Sequence, residues 1–286
     1  MGSVIIDGGL SNALADRGHL LADDLWTARL LRDAPEEIVA VHRAYFDAGA
    51  QVATTASYQA SVGGFTAAGM GEAEAERLIV RSVALAREAA DGYPGAEVAA
   101  SVGPYGAVLG DGSEYRGRYG LTATQLRDFH RPRIELLLSA VPDLLAVETI
   151  PDIDEAAVLA ELIAEYDAPA WLSYTVAAGL TRAGQPLADA FAVAADVEAI
   201  IATGVNCCAP AEVQHAVEVA VTTTGKPAIA YPNAGETWDA DNHAWVGTSS
   251  YDLALVPAWR QAGAAHLGGC CRVGPATIAA LAALGA

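Results

Sequence analysis

Short apolar runs with the composition of β-strands alternate with amphipathic helical stretches along the whole chain of 286 residues. The alternation repeats eight times, and no proline- or serine-rich linker interrupts it. This pattern is typical of parallel βαβ units. Eight units that close on themselves predict an α/β fold, a single (β/α)8 TIM barrel with residues 1–286 as one domain.

The predicted strands end near Ile6, Thr54, Ser101, Glu148, Tyr174, Asn206, Tyr231 and Leu267. A first helix is predicted to open at Pro35 and to be closed by Gly49. Further helices are predicted over 72–91, 122–140, 151–166, 186–200, 210–224, 251–262 and 275–284. The connections over 7–34, 55–71, 102–121 and 232–250 are long and follow the carboxyl ends of strands, where such barrels build active sites. We therefore expect the functional site, with long loops, on that face.

The charge balance and the apolar runs restrict the class of partner. Asp and Glu number 35 against 16 Lys and Arg, a net charge of −19, which disfavours nucleic acid and favours cationic ligands. No apolar run reaches membrane-spanning length, and no basic stretch with an apolar signal region opens the chain, so we expect a cytoplasmic protein without membrane contact. Lys226, the only lysine, precedes a strand at the opposite end from the expected site, which argues against Schiff-base chemistry.

All four cysteines fall in two adjacent pairs, Cys207-Cys208 and Cys270-Cys271, each after an apolar strand-like run. Neighbouring cysteines do not easily bridge each other, and clustered thiolates favour zinc among the common cellular metals. Side chains alternate along a strand, so only one member of the first pair should face an ion. Two glycines before Cys270 give both members of the second pair the freedom to turn toward it. The pattern predicts three thiolate ligands with an open fourth position, whereas buried structural thiols or a disulfide between the pairs are the alternatives.

The strand ends spell an ordered set of strings: DGG at 7–9, TTASYQAS at 54–61, SVGPY at 101–105, ET at 148–149, GVNC at 204–207, YPNAG at 231–235 and GGCC at 268–271. Together they resemble the zinc-dependent homocysteine S-methyltransferase family over essentially the whole chain. The segment 54–65 and the segment 101–120, with DGSEYRG at 111–117, are most similar to the branch that uses S-methylmethionine.

The resemblance implies that Cys207, Cys270 and Cys271 are the catalytic zinc ligands and that Cys208 is not a ligand. It also implies transfer of a methyl group from a sulfonium donor, S-methylmethionine or S-adenosylmethionine, to the sulfur of L-homocysteine, which yields methionine. The chemistry suits the residues, because only a thiolate is a competent nucleophile and zinc deprotonates a bound thiol.

Polar residues at the strand ends are expected to bind the amino-acid part of the substrates. Glu148 is predicted to hold the homocysteine ammonium group, with Asp7 as a second acceptor. Thr54, Thr55 and Ser101 are predicted to offer hydroxyl and backbone donors to the carboxylate.

Aromatic and basic residues in the long loops are candidates for the donor. Those expected to face the sulfonium are Tyr58, Tyr105, Tyr115, Tyr119 and Trp238, and Arg116 is expected to pair with the donor carboxylate. Asn233, beside the cysteine-bearing strands, is expected either to supply an oxygen to zinc when homocysteine is absent or to hydrogen-bond within its turn.

Two other functions fit a thiolate zinc site. One is a barrel hydrolase or lyase in which the open position activates water, although an all-thiolate shell donates too much charge to make bound water acidic. The other is a non-catalytic zinc- or thiol-binding protein, against which the four long loops argue. The sequence leaves the donor and the oligomeric state open.

Overall fold

The structure, a computed structural model, describes residues 3–19, 27–239 and 244–285. Eight parallel strands form one sheet: β1 (Val4–Ile5), β2 (Val52–Thr54), β3 (Glu97–Val102), β4 (Leu144–Ile150), β5 (Ala170–Tyr174), β6 (Ile200–Asn206), β7 (Ala228–Tyr231) and β8 (Ala264–Leu267). Each strand pairs with its sequence neighbours, and β1 pairs with β8. A parallel bridge between Ile6 and Val52 brings β1 to β2 and closes the ring. The predicted (β/α)8 barrel is confirmed.

Helices cover the outside of the barrel and occupy its long connections. In chain order they are α1 (Leu10–Asp16), α2 (Thr27–Asp33), α3 (Pro35–Asp47), α4 (Val62–Ala67), α5 (Glu72–Ala90), α6 (Tyr105–Leu109), α7 (Ala123–Ser139), α8 (Ile153–Tyr166), α9 (Leu187–Ala192), α10 (Pro210–Thr224), α11 (Val256–Ala262) and α12 (Pro275–Ala283). Among the described residues, no helix is both long and apolar enough to cross a bilayer.

Two predicted helices are shorter in the structure. The helix predicted over 186–200 ends at Ala192, and the chain continues in tight turns because Ile200 must join the sheet beside Ala170. The helix predicted over 251–262 divides into a 3-10 turn, Leu253–Leu255, and α11. Pro257 lies in the first turn of α11, where its missing N–H is tolerated and its ring disfavours an α-helix before it.

The long connections contain more regular structure than the sequence indicated. Helices α1 and α2 lie within 7–34, α4 lies within 55–71, and α6 with the 3-10 turn Ser113–Tyr115 lies within 102–121. The segment 232–250 contains an antiparallel hairpin of Thr237–Asp239 and Ala244–Val246. Another hairpin, Val176–Ala177 with Leu180–Thr181, follows β5.

The hydrophobic core has two parts, as expected for strands that are covered on both faces. The larger part packs the strands against the helices, and a separate cluster consists of strand and strand-end residues alone. Trp171 and Tyr231 belong to that second cluster, and the indole Nε1 donates to the tyrosine hydroxyl at 2.9 Å. Tyr231 also hydrogen-bonds to Glu148, so the barrel interior connects directly to the carboxyl-end face.

Candidate metal centre and substrate site

Three cysteine sulfurs converge at the carboxyl ends of β6 and β8. The Sγ atoms of Cys207, Cys270 and Cys271 all lie within 4.8 Å of one another. Cys207 and Cys270 form a disulfide with their Cα atoms 5.5 Å apart, whereas Cys271 is a free thiol. The structure thus contains the inter-pair bridge that the sequence offered as an alternative. Its reduction would give two thiols beside a third.

The backbone around the cysteines is fixed by the neighbouring strand β7. The Cys207 N–H donates to the Tyr231 carbonyl at 3.3 Å, and the Cys270 N–H donates to the Pro232 carbonyl at 2.8 Å. The side-chain oxygen of Asn233 accepts the Cys271 N–H at 3.1 Å. Asn233 thus bonds to the loop of the second cysteine pair rather than within its own turn, and an oxygen supplied by Asn233 to zinc stays a prediction.

The glycines before Cys270 serve a different purpose from the predicted one. Neither Gly268 nor Gly269 has a positive φ, so conformational freedom is not what they supply. A Cβ atom on Gly268 would lie 2.2 Å from Ile6, and one on Gly269 would lie 2.0 Å from Val273. They allow close approach of neighbouring side chains, whereas Arg272, with φ +67°, makes the tight backbone turn.

Cys208 lies outside the sulfur cluster for a reason that differs from strand alternation. Strand β6 has already ended at Asn206, and Cys207 adopts a left-handed conformation with φ +47°. The fully buried Cys208 packs in the hydrophobic core, and burial raises its thiol pKa to about 12. Its side chain is therefore a core group.

A buried carboxyl group, Glu148, lies at the end of β4. The Ser101 hydroxyl donates to its Oε1, and the Tyr231 hydroxyl is a second partner. Burial raises the pKa of Glu148 from 4.5 to about 7, against the lowering effect of both hydrogen bonds. The charge of Glu148 in turn raises the Cys271 pKa, which places the carboxylate within electrostatic range of the sulfurs.

Asn206 joins the strand that carries Glu148 to the strand that carries Cys207. Its Oδ1 accepts the Thr149 N–H at 2.7 Å and the Ser173 hydroxyl at 2.8 Å, and its Nδ2 donates to the Thr149 hydroxyl at 2.7 Å. Thr149 has φ +61°, and the β4–β5 register shifts at this point. Strained backbone of this kind needs a surrounding network to hold it.

Asp7 lies beside β2 and is also buried. Its carboxylate accepts the Thr54 N–H at 2.8 Å and the Thr54 hydroxyl at 2.6 Å. Burial raises the pKa of Asp7 to about 8, and the negative charge of Glu148 contributes. The two carboxyl groups predicted to hold an ammonium group are therefore electrostatic neighbours.

The hydroxyl of Thr55 is used within the protein. It hydrogen-bonds to the Ser57 hydroxyl at 2.6 Å and accepts the Ser101 N–H at 3.0 Å. Ser57 also donates to the Ser101 carbonyl at 2.7 Å. This network locks the ends of β2 and β3 together, so the structure gives Thr55 a positioning role, and substrate contact by Thr55 stays a prediction.

Tyr115 lies at the sulfur cluster, and Tyr58 lies within electrostatic range of Tyr115 and Glu148. Tyr115 hydrogen-bonds to Cys271, and Tyr58 hydrogen-bonds to Thr149, next to Glu148. The pKa of each phenol is well above its usual value, chiefly because of burial. Both can present aromatic surface to a cation in this space.

The other loop residues predicted for the donor contact neighbouring loop and helix residues in the structure. Tyr105 packs against Tyr119 and Phe129, with ring centroids 5.4 Å and 5.0 Å away, and contact of Tyr105 or Tyr119 with a donor stays a prediction. The exposed guanidinium of Arg116 bonds to the Asp111 carboxylate at 3.2 Å and the Ser113 hydroxyl at 2.9 Å. Its contact with a donor stays a prediction. The side chain of Trp238 lies outside the described part of the structure.

Three further residues shape the site and were not singled out from the sequence as site residues. Asn206 directly precedes Cys207, and Glu114 lies within the DGSEYRG string. Proximity to these predicted site residues is the sequence feature that could have identified both. Arg182 lies after the hairpin that follows β5, and its guanidinium carbon is 5.4 Å from the Tyr115 ring centroid. No sequence string marked Arg182.

The sulfur cluster fits a thiolate metal centre. Thiolates at the corners of a zinc tetrahedron are about 3.8 Å apart for Zn–S bonds of about 2.3 Å. The three sulfurs, within 4.8 Å of one another, need only small movements after reduction to reach that geometry. Cys270 and Cys271 are only partly buried, which leaves a side of the cluster open for a fourth ligand.

A (β/α)8 barrel with three convergent cysteine sulfurs and buried carboxyl groups at its mouth is an α/β-barrel protein with a candidate metal site. The homocysteine S-methyltransferase family model matches residues 4–284. Homocysteine S-methyltransferase 4 of Zea mays is 44% identical, over 98% of this chain and 89% of that protein.

Two solved structures of the homocysteine methyltransferase MmuM from Escherichia coli have the same fold. The metallated form superposes with a TM-score of 0.89 at 43% identity, and the oxidized form with a TM-score of 0.88 at 43% identity. Each comparison covers 99% of this chain and 96% of the other. The chain belongs to the homocysteine S-methyltransferase family and is a methyltransferase.

Proposed function

We propose that this enzyme transfers a methyl group from a sulfonium donor, preferably S-methylmethionine, to the zinc-activated thiolate of L-homocysteine and so forms methionine. The observation that carries the proposal is the convergence of Cys207, Cys270 and Cys271 within 4.8 Å. The family supports homocysteine as the acceptor. Thiolate ligands support zinc as the metal.

Zinc bound by the three cysteines would supply deprotonation of the homocysteine thiol at neutral pH. The protein's own residues then orient this substrate. Glu148 and Asp7 lie at the ends of β4 and β1 and can accept hydrogen bonds from its ammonium group. Ser101 and Thr54 hold those two carboxyl groups in place.

The transfer forms a bond between the methyl carbon and the homocysteine sulfur and breaks the bond between that carbon and the donor sulfur. The electron pair of the broken bond stays on the donor sulfur, which leaves as a neutral thioether and needs no proton. Alignment of the two sulfurs is therefore the main requirement. The transfer step requires no histidine as a base. The buried His130 accordingly bonds to Glu155.

The acidic mouth of the barrel suits a cationic donor. Glu148, whose pKa is raised to about 7, is partly ionised near neutral pH and contributes negative charge, and Tyr58 and Tyr115 contribute aromatic surface. The donor sulfur carries a positive charge before transfer, and this charge is lost when the neutral thioether forms. The products are consequently held less strongly than the donor.

Initial rates of methionine formation by the reduced, zinc-loaded enzyme test the proposal. S-Methylmethionine is expected to outperform S-adenosylmethionine, and glycine betaine is expected to be nearly inert. Betaine carries its methyl groups on a quaternary nitrogen, so it has neither the sulfonium nor an ammonium group with N–H donors, and lost transition-state contacts lower the rate directly. A preference for betaine would contradict the donor assignment but leave the thiol chemistry intact.

Metal binding is expected to depend on reduction of the Cys207–Cys270 disulfide, because a metal site needs thiolates. Protein oxidised before purification should show two fewer titratable thiols in denaturant than reduced protein and should bind no stoichiometric zinc. Addition of a reductant should restore both the thiols and about one zinc per chain. Full zinc uptake by protein that retains the bridge would contradict the ligand set.

A further inference from the structure

Tyr115, at the mouth of the barrel, is within electrostatic range of two oppositely charged side chains, those of Glu114 and Arg182. Glu114 precedes it in the 3-10 turn Ser113–Tyr115, which follows β3. Arg182 approaches from the hairpin after β5, with its guanidinium carbon 5.4 Å from the ring centroid. The two charges therefore come from different loops and meet at one aromatic ring that also bonds to Cys271.

Glu114 and Arg182 each present an unused polar atom in a buried position. The Glu114 Oε2 and the Arg182 Nε are inaccessible to solvent and lack a hydrogen-bond partner among the described residues. Buried polar atoms are normally hydrogen-bonded, because desolvation without a partner costs free energy. A ligand with an ammonium group and a carboxylate would satisfy both.

The carboxylate of Glu114 faces the same space as the sulfurs. Its negative charge raises the pKa of Tyr58, Tyr115 and Cys271. Arg182 acts oppositely on Tyr115 and lowers its pKa. The pair thus lies at the rim of the reaction space, on loops different from those that carry Glu148 and Asp7.

We propose that Glu114 and Arg182 form the binding site for the amino-acid head of the methyl donor, with Arg182 on its carboxylate and Glu114 on its ammonium group. This inference rests on the proposed function and adds its second substrate subsite. The donor sulfonium then lies against Tyr115, whose hydroxyl bonds to Cys271, and so faces the acceptor sulfur. Guanidinium–carboxylate pairing is directional and strong.

Arg116 is less well placed for this role than Arg182. The side chain of Arg116 is 63% exposed, and its guanidinium is already occupied by Asp111 and Ser113. Arg182 is partly buried, stacks on Tyr115 and has an unpaired Nε. A planar guanidinium that is pre-organised by stacking loses less freedom when it binds a carboxylate.

The test pairs each variant with a donor that lacks the matching group. The donors are S-methylmethionine, its desamino analogue 4-(dimethylsulfonio)butanoate and its decarboxy analogue 3-(dimethylsulfonio)propylamine. The variants are Glu114→Gln and Arg182→Gln, each assayed as the reduced, zinc-loaded enzyme at saturating homocysteine. The ion pair between the half-buried Arg127 on α7 and the exposed Glu161 on α8 provides matched controls, Arg127→Gln and Glu161→Gln.

Glu114→Gln is expected to lower kcat/KM for S-methylmethionine and the decarboxy analogue roughly tenfold to hundredfold, but hardly that for the desamino analogue. Arg182→Gln is expected to lower kcat/KM for S-methylmethionine and the desamino analogue by a similar factor and to leave kcat/KM for the decarboxy analogue nearly unchanged. The KM for homocysteine should stay within about twofold, and the two control variants should match the wild type.

Equal losses for all three donors in either variant would show a merely structural role and overturn the inference, as would unchanged kinetics for S-methylmethionine. The wild-type enzyme separates this failure from that of the proposed function. If it forms no methionine from homocysteine with any sulfonium donor, the proposed function itself is wrong, and the donor subsite is rejected with it.

Discussion

Alanine at Cys207, Cys270 or Cys271 is expected to reduce bound zinc from about one ion per chain to near zero and methionine formation by at least about a thousandfold. The three sulfurs form one cluster, and two remaining thiolates hold the metal much less tightly. Metal analysis and rates on the same reduced preparations measure the two losses, which should coincide because the homocysteine thiol would no longer be deprotonated.

Cys208→Ala is the matched control because Cys208 neighbours Cys207 but packs in the core. It should retain most of the zinc and activity and lose about 1 kcal/mol of unfolding free energy, as a small buried truncation does. If Cys208→Ala lost as much zinc as the other three variants, the ligand assignment would be wrong.

Glu148→Gln is expected to raise the apparent KM for homocysteine roughly tenfold to hundredfold while zinc stays bound, since the variant removes the carboxylate but keeps its shape. The wild-type affinity should also depend on pH. Burial raises the Glu148 pKa to about 7, so the carboxyl is protonated below that pH and homocysteine should bind more tightly as pH rises through it. The variant should lose the part of this dependence that arises from Glu148, whereas Asp7, whose pKa is raised to about 8, should keep its own contribution.

Stability provides the control for Glu148→Gln. In the metal-free protein the raised pKa means that ionisation of Glu148 opposes folding, so stability falls as pH rises from about 4.5 through about 7. Above that range the free energy of unfolding of the Glu148→Gln variant should therefore equal or exceed that of the wild type, because glutamine stays neutral. If Glu148→Gln had the same KM for homocysteine as the wild type across the pH range, the proposed ammonium contact would be ruled out.

The fold could be predicted from the sequence because hydrophobic periodicity determines it directly. Predicted strand ends at Thr54, Tyr174, Asn206, Tyr231 and Leu267 coincide with the observed ends. The errors lie where local preference competes with the barrel, as in the helix that stops at Ala192 so that the next strand can pair. Helix propensity does not indicate at which residue the chain must leave a helix to join the sheet.

The sulfur cluster could also be predicted, although two of the reasons were wrong. Strand β6 ends before Cys207, so strand alternation is not what excludes Cys208, and the glycines before Cys270 provide space rather than backbone freedom. Arg182 could not be found in this way, because its partner Tyr115 is distant along the chain and meets it only through the fold. Such pairings carry no local sequence pattern.

The side-chain amide of Asn206 holds two strand ends at the barrel mouth at a fixed separation. It fastens the end of β4 to the end of β6, so the carboxyl group of Glu148 and the sulfur of Cys207 cannot move apart or together independently. Under the proposed function, a substrate must span these two points with its ammonium group and its sulfur. Cysteine is one methylene shorter than homocysteine, so we expect it to be the poorer acceptor, and Asn206, through the two strand ends that it connects, would favour one of two amino acids with identical functional groups.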